Sequence, residues 1–369
     1  MPPSNAPASS FRNSLMVLES GIMPAMKAVR LHEFGTAEKL IYETDVPDPV
    51  PQQGEVLLRV RACALNHLDI WVRNGIPAYN TPLPHILGSD IAGEVLEVGP
   101  GVREWRRGDL AVVYPIISCG QCRYCRRGRE NLCLSVEVIG AHRPGGYAEY
   151  IVVPARNLLP KPTILSFVEA AAVPLVFLTA WHMLIHRARL QPGEWALIMG
   201  GSSGVGSAAI QIAKLRGALV IATAGNEQKM ARALELGADI VVNHSNPEWW
   251  REVKEKTEGE GIDVVFEHIG QAVFDSCVRL LNKGGRLVTC GATTGQNGQF
   301  DIRYLFSREL EIYGAYLGTR AELAQLLKYV ESGQLKPVVD SVFPLEQARA
   351  AHEKLESRDF FGKIVLSID

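Results

Sequence analysis

The sequence predicts an α/β protein in which a doubly wound parallel sheet is joined to a smaller β domain that carries a four-cysteine lobe. Three observations support this prediction. Strands alternate with helices from about residue 190, short strands with frequent Gly and Pro fill the first half, and four cysteines lie within residues 119–133. Alternating strands and helices are typical of parallel sheets, whereas short strands separated by turns are typical of compact β domains.

Length and composition limit the possible classes of protein. The 369 residues, 47% of them hydrophobic, are enough for two domains with cores of their own. The net charge of -2 provides no basic field for nucleic acid and no basic block for a membrane surface. No apolar run approaches the roughly 20 residues that cross a bilayer. We therefore expect neither nucleic acid nor a membrane as a partner.

Residues 1–25 have the composition of a disordered extension, because Pro, Ser and Asn dominate their first half. They lack an apolar segment behind a cationic start, so a signal peptide is not expected. Three further cysteines, Cys63, Cys277 and Cys290, are isolated in apolar segments. Without an export signal, a reduced cytoplasmic compartment is the expected location.

The cysteine lobe has the spacing C-x2-C-x2-C-x7-C. Its members are Cys119, Cys122, Cys125 and Cys133. In a reducing compartment, such a cluster more often holds a metal than forms disulfides. Four thiolates fill the tetrahedral shell of zinc and leave no position for water or substrate, so the predicted zinc is structural. An iron–sulfur cluster is the alternative, but its usual spacings differ. Arginines inside the segment can offset the excess thiolate charge, which we prefer to a role in binding nucleic acid.

A nucleotide-binding turn is predicted after the apolar strand at residues 195–199. A continuous apolar run is typical of a parallel strand that is covered on both faces. The glycines that follow allow a phosphate to approach, and the helix expected from about Val205 offers its N-terminal amides to that anion. The residues predicted to contact the cofactor here are Gly201, Ser202, Ser203, Gly204, Val205 and Gly206. Ser203 replaces the middle glycine of G-x-G-x-x-G, and its hydroxyl can still contact phosphate.

Further strand and helix units continue the same pattern. Strands are predicted at 238–243, 263–270, 285–291 and 310–316, and helices are predicted to begin near Glu227, Pro247 and Val273. This alternation favours a doubly wound parallel sheet.

The end of the second strand of this unit indicates which nucleotide binds. An NAD site usually has Asp or Glu there to hold the ribose hydroxyls. This chain has Thr223, Gly225 and Asn226 at the strand end, followed by Lys229. No carboxylate in residues 223–226 would repel a 2′-phosphate, while Asn226 can donate hydrogen bonds and Lys229 supplies positive charge. NADPH is therefore favoured over NADH.

Several segments resemble one known family. They are residues 54–56 (GEV), 88–102 (GSDIAGEVLEVGPGV), 145–154 (GGYAEYIVVP), 177–184 (FLTAWHML) and 361–369 (FGKIVLSID). Together with the cysteine lobe and the glycine turn, they make the chain from Met26 to Asp369 similar to the medium-chain dehydrogenase/reductase superfamily. The resemblance implies a GroES-like catalytic domain at residues 26–176 and 318–369. It further implies a Rossmann NADP-binding domain at 177–317 and a homodimer or homotetramer.

The resemblance also assigns three positions to a second, catalytic zinc in the alcohol dehydrogenase branch. Here they are Asn66, Ser89 and Leu175, and Leu68 replaces the Thr of the family's proton relay. Asn and Ser are weak zinc ligands and Leu cannot be one. These positions are similar instead to the quinone oxidoreductase branch, which is usually zinc-free and NADPH-dependent. Most members of that branch lack the cysteine lobe, so this chain combines features of both.

The resemblance implies roles for individual residues. Asn66 would face the nicotinamide and the substrate carbonyl, and Asp69 would orient the loop or a water molecule. His67 and Lys363 would contact the cofactor pyrophosphate. The other cofactor contacts implied are Thr179, Gly291, Ala292 and the backbone at Tyr316, and the candidates for an apolar pocket wall are Trp71, Tyr79 and Phe177.

The leading hypothesis is hydride transfer from NADPH to a quinone or an α,β-unsaturated carbonyl. Conjugation spreads the developing negative charge, so the acceptor needs less help from a Lewis acid than an isolated ketone does. One alternative is an alcohol or aldehyde dehydrogenase with an irregular metal site. Its ligands would come from His67, Asp69, His85 and Asp90. A second alternative is a non-catalytic NADPH-binding sensor.

Overall fold

The computed structural model describes residues 25–369. The predicted extension at 1–25 lies outside the described residues except for Ala25, which begins the first strand. The first part of the chain contains strands β1 (Ala25–Leu31), β2 (Leu40–Pro47), β3 (Glu55–Ala64), β4 (His85–Ile86), β5 (Asp90–Val98), β6 (Leu110–Val113), β7 (Ile116–Ile117), β8 (Glu137–Val138), β9 (Tyr150–Pro154) and β10 (Leu158–Pro160). Its helices are α1 (His67–Arg73), α2 (Phe167–Ala171) and α3 (Pro174–Trp181).

The second part contains strands β11 (Trp195–Ile198), β12 (Leu219–Ala224), β13 (Ile240–Asn243), β14 (Ile262–Glu267), β15 (Leu281–Thr289), β16 (Glu311–Gly314), β17 (Val339–Pro344) and β18 (Lys363–Ser367). Its helices are α4 (Gly204–Leu215), α5 (Glu227–Glu235), α6 (Trp249–Lys256), α7 (Phe274–Leu280), α8 (Ile302–Ser307), α9 (Arg320–Glu331) and α10 (Ala348–Ser357). The predicted helix starts near 227, 247 and 273 thus agree with α5, α6 and α7 to within two residues.

The β domain is built around a seven-stranded sheet. Its path runs β10-β6-β5-β3-β18-β17, with β9 also pairing β3. In β3, alternate residues such as Val56, Leu58 and Val60 are fully buried, as a strand with one face on the core requires. The C-terminal strand β18 returns to this sheet, where Leu366 pairs with Cys63 of β3. The C-terminus therefore completes the domain that the first half begins, and it brings Lys363 to the floor of the site.

The parallel sheet has the order β13-β12-β11-β14-β15-β16, and every neighbouring pair in it is parallel. Successive residues of β11 enter different cores: Ala196 and Ile198 join the one that includes α4, and Leu197 joins the one that includes α6 and α7. A parallel strand covered on both faces explains the unbroken apolar run. The prediction of a doubly wound sheet is confirmed.

Helix α3 connects the two regions and continues as a π-helix over His182–Arg187. A domain boundary between residues 176 and 177 would fall inside α3, whereas one between 317 and 318 would fall between β16 and α9. The domain ranges remain proposals. Among the helices of residues 25–369, none is both long enough and apolar enough to cross a membrane.

Candidate functional site

The glycine turn after β11 forms a compact anion cradle. Ser203 caps α4, because its Oγ accepts from the Gly206 backbone N at 2.9 Å and donates to the Gly200 O at 2.8 Å. A Cβ on Gly206 would lie 2.2 Å from the Gly200 O, so only glycine fits. The helix begins at Gly204, one residue from the predicted start. The Ser203 hydroxyl that the sequence assigned to phosphate is thus already used to close the turn.

The ends of neighbouring parallel strands converge on this turn. The imidazole of His268, just beyond β14, lies 3.3 Å from the Ser203 Oγ and donates from Nε2 to the Met199 O at 3.0 Å. Burial lowers the pKa of His268 to about 4, so the ring is neutral. A Cβ on Gly291 would lie 2.7 Å from the His268 O, which brings the predicted 291–292 loop beside the same turn. His268 was not predicted, because its neighbours in the sequence form no motif that points to a site.

The end of β12 carries the predicted nucleotide-selecting residues. The Thr223 Oγ1 accepts from the Gly200 N at 3.0 Å and also contacts His244 Nδ1 at 3.1 Å. The Oδ1 of Asn226 caps α5 by accepting from the Lys229 N at 2.9 Å. A Cβ on Gly225 would lie 3.3 Å from His244 Nε2, so the imidazole lies directly over the strand end.

Residues from three elements lie close together at this point. The Lys229 Nζ donates to the backbone O of Arg358 at 2.6 Å. The pKa of His244 is lowered mainly by burial and to a smaller extent by the charge of Lys229. Burial first, and then the charge of Arg358, lowers the pKa of His67. Arg358 follows α10 and adopts a left-handed conformation with φ of 60°, which is uncommon for a side chain of its size. His244 and Arg358 were not predicted, because their proximity to Lys229 exists only in the folded chain.

Asn66 stands at the start of α1 in the floor of the site. Its backbone N donates to Asp69 Oδ2 at 2.7 Å, and the Gly88 N donates to Asp69 Oδ1 at 3.1 Å. Burial raises the pKa of Asp69 to about 6. Asp69 therefore ties the loop that holds Asn66 to the segment before β5.

The side chain of Asn66 lies in a buried cluster with Lys363 and Asp90. The Lys363 ammonium donates to the Asn66 Oδ1 at 2.7 Å, to Asp90 Oδ2 at 3.0 Å and to the Leu65 O at 2.5 Å. The Asn66 Nδ2 donates to the same Asp90 oxygen at 2.9 Å. The other Asp90 oxygen accepts from the Leu175 N at 2.7 Å. We call Asn66, Asp90 and Lys363 the floor cluster. Lys363 was predicted to contact pyrophosphate, and in the structure its ammonium group donates to three protein oxygens.

The residues at the three positions that the resemblance assigns to a catalytic metal form hydrogen bonds within the protein. The Asn66 Oδ1 accepts from an ammonium group, and the buried Ser89 Oγ donates to the Ile139 O at 2.7 Å. Leu175 offers only its backbone N to Asp90. Within residues 25–369, the one set of three or more His, Cys, Asp or Glu side chains close enough to share an ion is the cysteine lobe. His67, Asp69, His85 and Asp90 therefore do not converge.

The cysteine lobe has the geometry of a zinc centre. Its four sulfurs all lie within 4.8 Å of one another, with Sγ–Sγ separations of 3.5, 3.9 and 4.0 Å for three of the pairs. Tetrahedral Zn–S bonds of about 2.3 Å place sulfurs roughly 3.8 Å apart. Backbone N–H groups of Cys119, Cys122 and Ser135 donate to lobe sulfurs at 3.3 to 3.4 Å, as thiolates require. The residues fit a structural zinc.

Two further predicted cofactor residues lie near α3 and the lobe. Thr179 is buried and its Oγ1 has no hydrogen-bond partner within the described chain, so a bound cofactor could satisfy it. The backbone O of Tyr316 accepts from Asn131 of the lobe at 3.1 Å. Trp71 packs edge-on against His67, with ring centroids 5.1 Å apart, and Tyr79 packs edge-on against His142. The orphan hydroxyl and the glycine cradle together fit a dinucleotide.

Comparison with known proteins agrees with this geometry. Residues 52–163 match the alcohol dehydrogenase GroES-like domain family, and residues 204–332 match the zinc-binding dehydrogenase family. A quinone oxidoreductase of Rattus norvegicus is 33% identical over 350 residues, covering 92% of this chain and 97% of that protein. An NAD-dependent alcohol dehydrogenase of Sulfurisphaera tokodaii is 33% identical, covering 92% and 99%.

A solved structure is also similar to this chain. The crystal structure of an NAD-dependent alcohol dehydrogenase matches with a TM-score of 0.90 and 47% identity, covering 93% of this chain and 100% of that one. These relatives are named dehydrogenases and reductases, so the chain is an enzyme rather than a non-catalytic sensor. It belongs to the medium-chain dehydrogenase/reductase superfamily of oxidoreductases.

Proposed function

We propose that this oxidoreductase transfers a hydride from NADPH to a quinone or an α,β-unsaturated carbonyl without a catalytic zinc. The observation that carries the proposal is the floor cluster. The residues at the metal-ligand positions are bonded within the protein, and the positive charge beside Asn66 belongs to Lys363. A metal would polarise an isolated carbonyl, whereas a conjugated acceptor spreads the incoming charge itself. Hydrogen-bond donors then suffice to stabilise it.

Bound NADPH would supply the hydride. The glycine turn and the N-terminus of α4 would hold its phosphates, and Thr179 would offer its unpartnered hydroxyl. From the resemblance, His67 would contact the pyrophosphate. The NH2 group of Asn66 would donate to the acceptor oxygen as negative charge develops there. Removal of one such donor typically lowers kcat about 100-fold or more.

The preference for NADPH rests on the charges at the end of β12. The Lys229 ammonium lies there against the backbone O of Arg358 and close enough to His244 to lower its pKa, and it would complement a 2′-phosphate. The two alcohol dehydrogenases compared above carry NAD in their names, so a direct competition between the two nucleotides is informative. NADPH should bind at least 10-fold more tightly than NADH.

A turnover screen tests the proposal. Quinones, enones and aldehydes are assayed with NADPH, and primary alcohols with NADP⁺, at equal enzyme concentration. We expect reduction of quinones or enones and no oxidation of simple alcohols. Turnover of aldehydes or alcohols without any quinone or enone activity would contradict it.

The second candidate is a zinc-type alcohol or aldehyde dehydrogenase. The cysteine lobe and the 47% identity to an NAD-dependent alcohol dehydrogenase favour it. It requires a second zinc in the cleft, so metal content separates the candidates: one zinc per chain supports our proposal and two support the alternative. A cytoplasmic location and assembly as a homodimer or homotetramer also remain proposals.

A further inference from the structure

Lys363 and Asn66 are 297 residues apart in the chain and are joined in the floor cluster by a buried 2.7 Å hydrogen bond. We propose that Lys363 is a positioning residue: it fixes the amide of Asn66 so that the NH2 group is presented to the acceptor. This inference rests on the proposed function. It replaces the pyrophosphate contact expected for Lys363 from the resemblance.

The charges on either side of Asn66 determine which way its amide points. Lys363 can only donate and the Asp90 carboxylate can only accept, so Oδ1 must face the ammonium and Nδ2 must face Asp90. Rotating the amide by 180° would place its NH2 against the ammonium and its oxygen against the carboxylate. Both charge-assisted bonds would be lost. A neutral residue at 363 would remove half of this constraint.

The donors of the floor cluster leave one proton for a ligand. All three ammonium protons of Lys363 are taken. One Nδ2 proton of Asn66 goes to Asp90, and the other meets the Ala64 O only at 3.4 Å, which is too long for a strong bond. Asn66 keeps 6% of its surface exposed, whereas Asp90 keeps none. The weakly held amide proton is therefore the one that an acceptor oxygen can take.

The path of the lysine side chain explains why the ammonium does not serve the cofactor. Gly362 donates to the Ser202 O at 2.9 Å, so the chain before Lys363 lies against the glycine turn. A Cβ on Gly204 would lie 2.7 Å from Lys363 Cδ, so the turn contacts the methylenes. The ammonium passes beyond the turn to Asn66. To reach a pyrophosphate it would have to give up three buried hydrogen bonds, each of which is costly to lose.

The test compares kcat with the dissociation constant of NADPH. Lys363→Met alone would leave Asp90 as a buried unpaired charge, which destabilises a fold. The variant is therefore Lys363→Met combined with Asp90→Asn, which removes both charges of the buried pair together, and the wild-type enzyme is its reference. NADPH binding is measured by fluorescence titration, and kcat is measured on whichever acceptor the wild-type enzyme reduces. The same substitutions are repeated in an Asn66→Ala background.

From the wild type to the double variant, we expect kcat to fall 10- to 100-fold and the NADPH dissociation constant to change less than threefold. In the Asn66→Ala background the same step should leave kcat nearly unchanged, because Lys363 acts through Asn66. A rise in the NADPH dissociation constant larger than the fall in kcat, or an undiminished effect without Asn66, would overturn the inference. If the double variant does not fold, Lys363→Leu combined with Asp90→Asn also removes both charges and allows the same comparison.

The outcome of this test does not depend on whether the proposed function is correct. If the wild-type enzyme reduces only aldehydes, the conjugated acceptor is wrong, yet the same kcat comparison still applies to Lys363. The NADPH titration requires no acceptor at all. A loss of NADPH affinity would therefore identify a pyrophosphate contact whatever the substrate is.

Discussion

The Nζ of Lys363 lies 3.0 Å from Oδ2 of Asp90, and both side chains are buried. This ion pair places a cation of the protein beside Asn66, which occupies a position where the alcohol dehydrogenase branch has a metal ligand. The charges balance within the floor cluster, and the amide of Asn66 bridges them. In our proposal, the amide of Asn66 acts as an oriented hydrogen-bond donor in place of the metal that the resemblance assigns to that branch.

The contact between Gly204 and Lys363 predicts the effect of one added methyl group. In Gly204→Ala, the new Cβ would lie 2.7 Å from Lys363 Cδ and 3.3 Å from the Gly362 O. The lysine must shift, so we expect a fall in kcat of about 10-fold or more, with weaker NADPH binding because the turn moves as well. Steady-state kinetics and NADPH titration measure both effects. In the matched control Gly314→Ala, an added Cβ meets no atom within 4 Å, and both constants should stay near wild type.

The basic end of β12 predicts a change in nucleotide preference. Replacing Lys229 by Ala removes a positive charge beside the expected 2′-phosphate, and loss of one such contact costs about 1.4 kcal/mol, or about 10-fold in affinity. NADH has no such phosphate and should bind almost equally well to both proteins. Titration of each nucleotide measures the ratio of the NADPH and NADH dissociation constants. A variant at an exposed lysine, Lys336→Ala, is the control. An equal loss for both nucleotides would contradict the assignment.

The cysteine lobe predicts one zinc whose role is structural. Cys122→Ser removes one ligand, so the variant should lose most of its zinc and unfold at a temperature several degrees lower. Elemental analysis and thermal unfolding measure these effects. Cys277 is buried away from the lobe, so Cys277→Ala should keep its zinc even where it loses stability. Full zinc retention in Cys122→Ser would show that the lobe does not bind the metal through this thiolate.

Three histidines with lowered pKa values predict an acid-sensitive fold. Burial lowers the pKa of His85 and His268 to about 4; burial and then the Arg73 charge lower the pKa of His352 to about 3. These rings stay neutral when folded but protonate when unfolded near pH 6.5. They therefore stabilise the fold fully above pH 6.5 and lose that contribution as the pH falls, by about 1.4 kcal/mol per histidine per pH unit.

Urea unfolding at pH 7 and pH 5, at fixed zinc concentration, measures this loss. In His352→Gln, the free energy of unfolding should decrease less between pH 7 and pH 5 than in the wild type. The difference should be about 2 kcal/mol, because one titrating ring is gone. An unchanged decrease in His352→Gln would mean that His352 does not stay neutral in the folded state.

The parts of the fold that depend on local pattern were predictable. The parallel sheet was predicted from the apolar run at β11, the glycine turn and the alternating helices. The lobe was predicted from the cysteine spacing. The floor cluster was not predictable, because Lys363 reaches Asn66 only after β18 pairs with β3 at the other end of the chain. His244 and Arg358 were missed for the same reason. Nothing near either residue in the sequence indicates that both approach Lys229.

In our proposal, hydride transfer proceeds without a second metal ion in the cleft. The most direct measurement is zinc per chain, determined on the same wild-type preparation in which NADPH-dependent reduction of a quinone or an enone is assayed. We predict one zinc per chain at full turnover. Two zincs per chain, or turnover that rises in proportion to a second equivalent of metal, would contradict the claim.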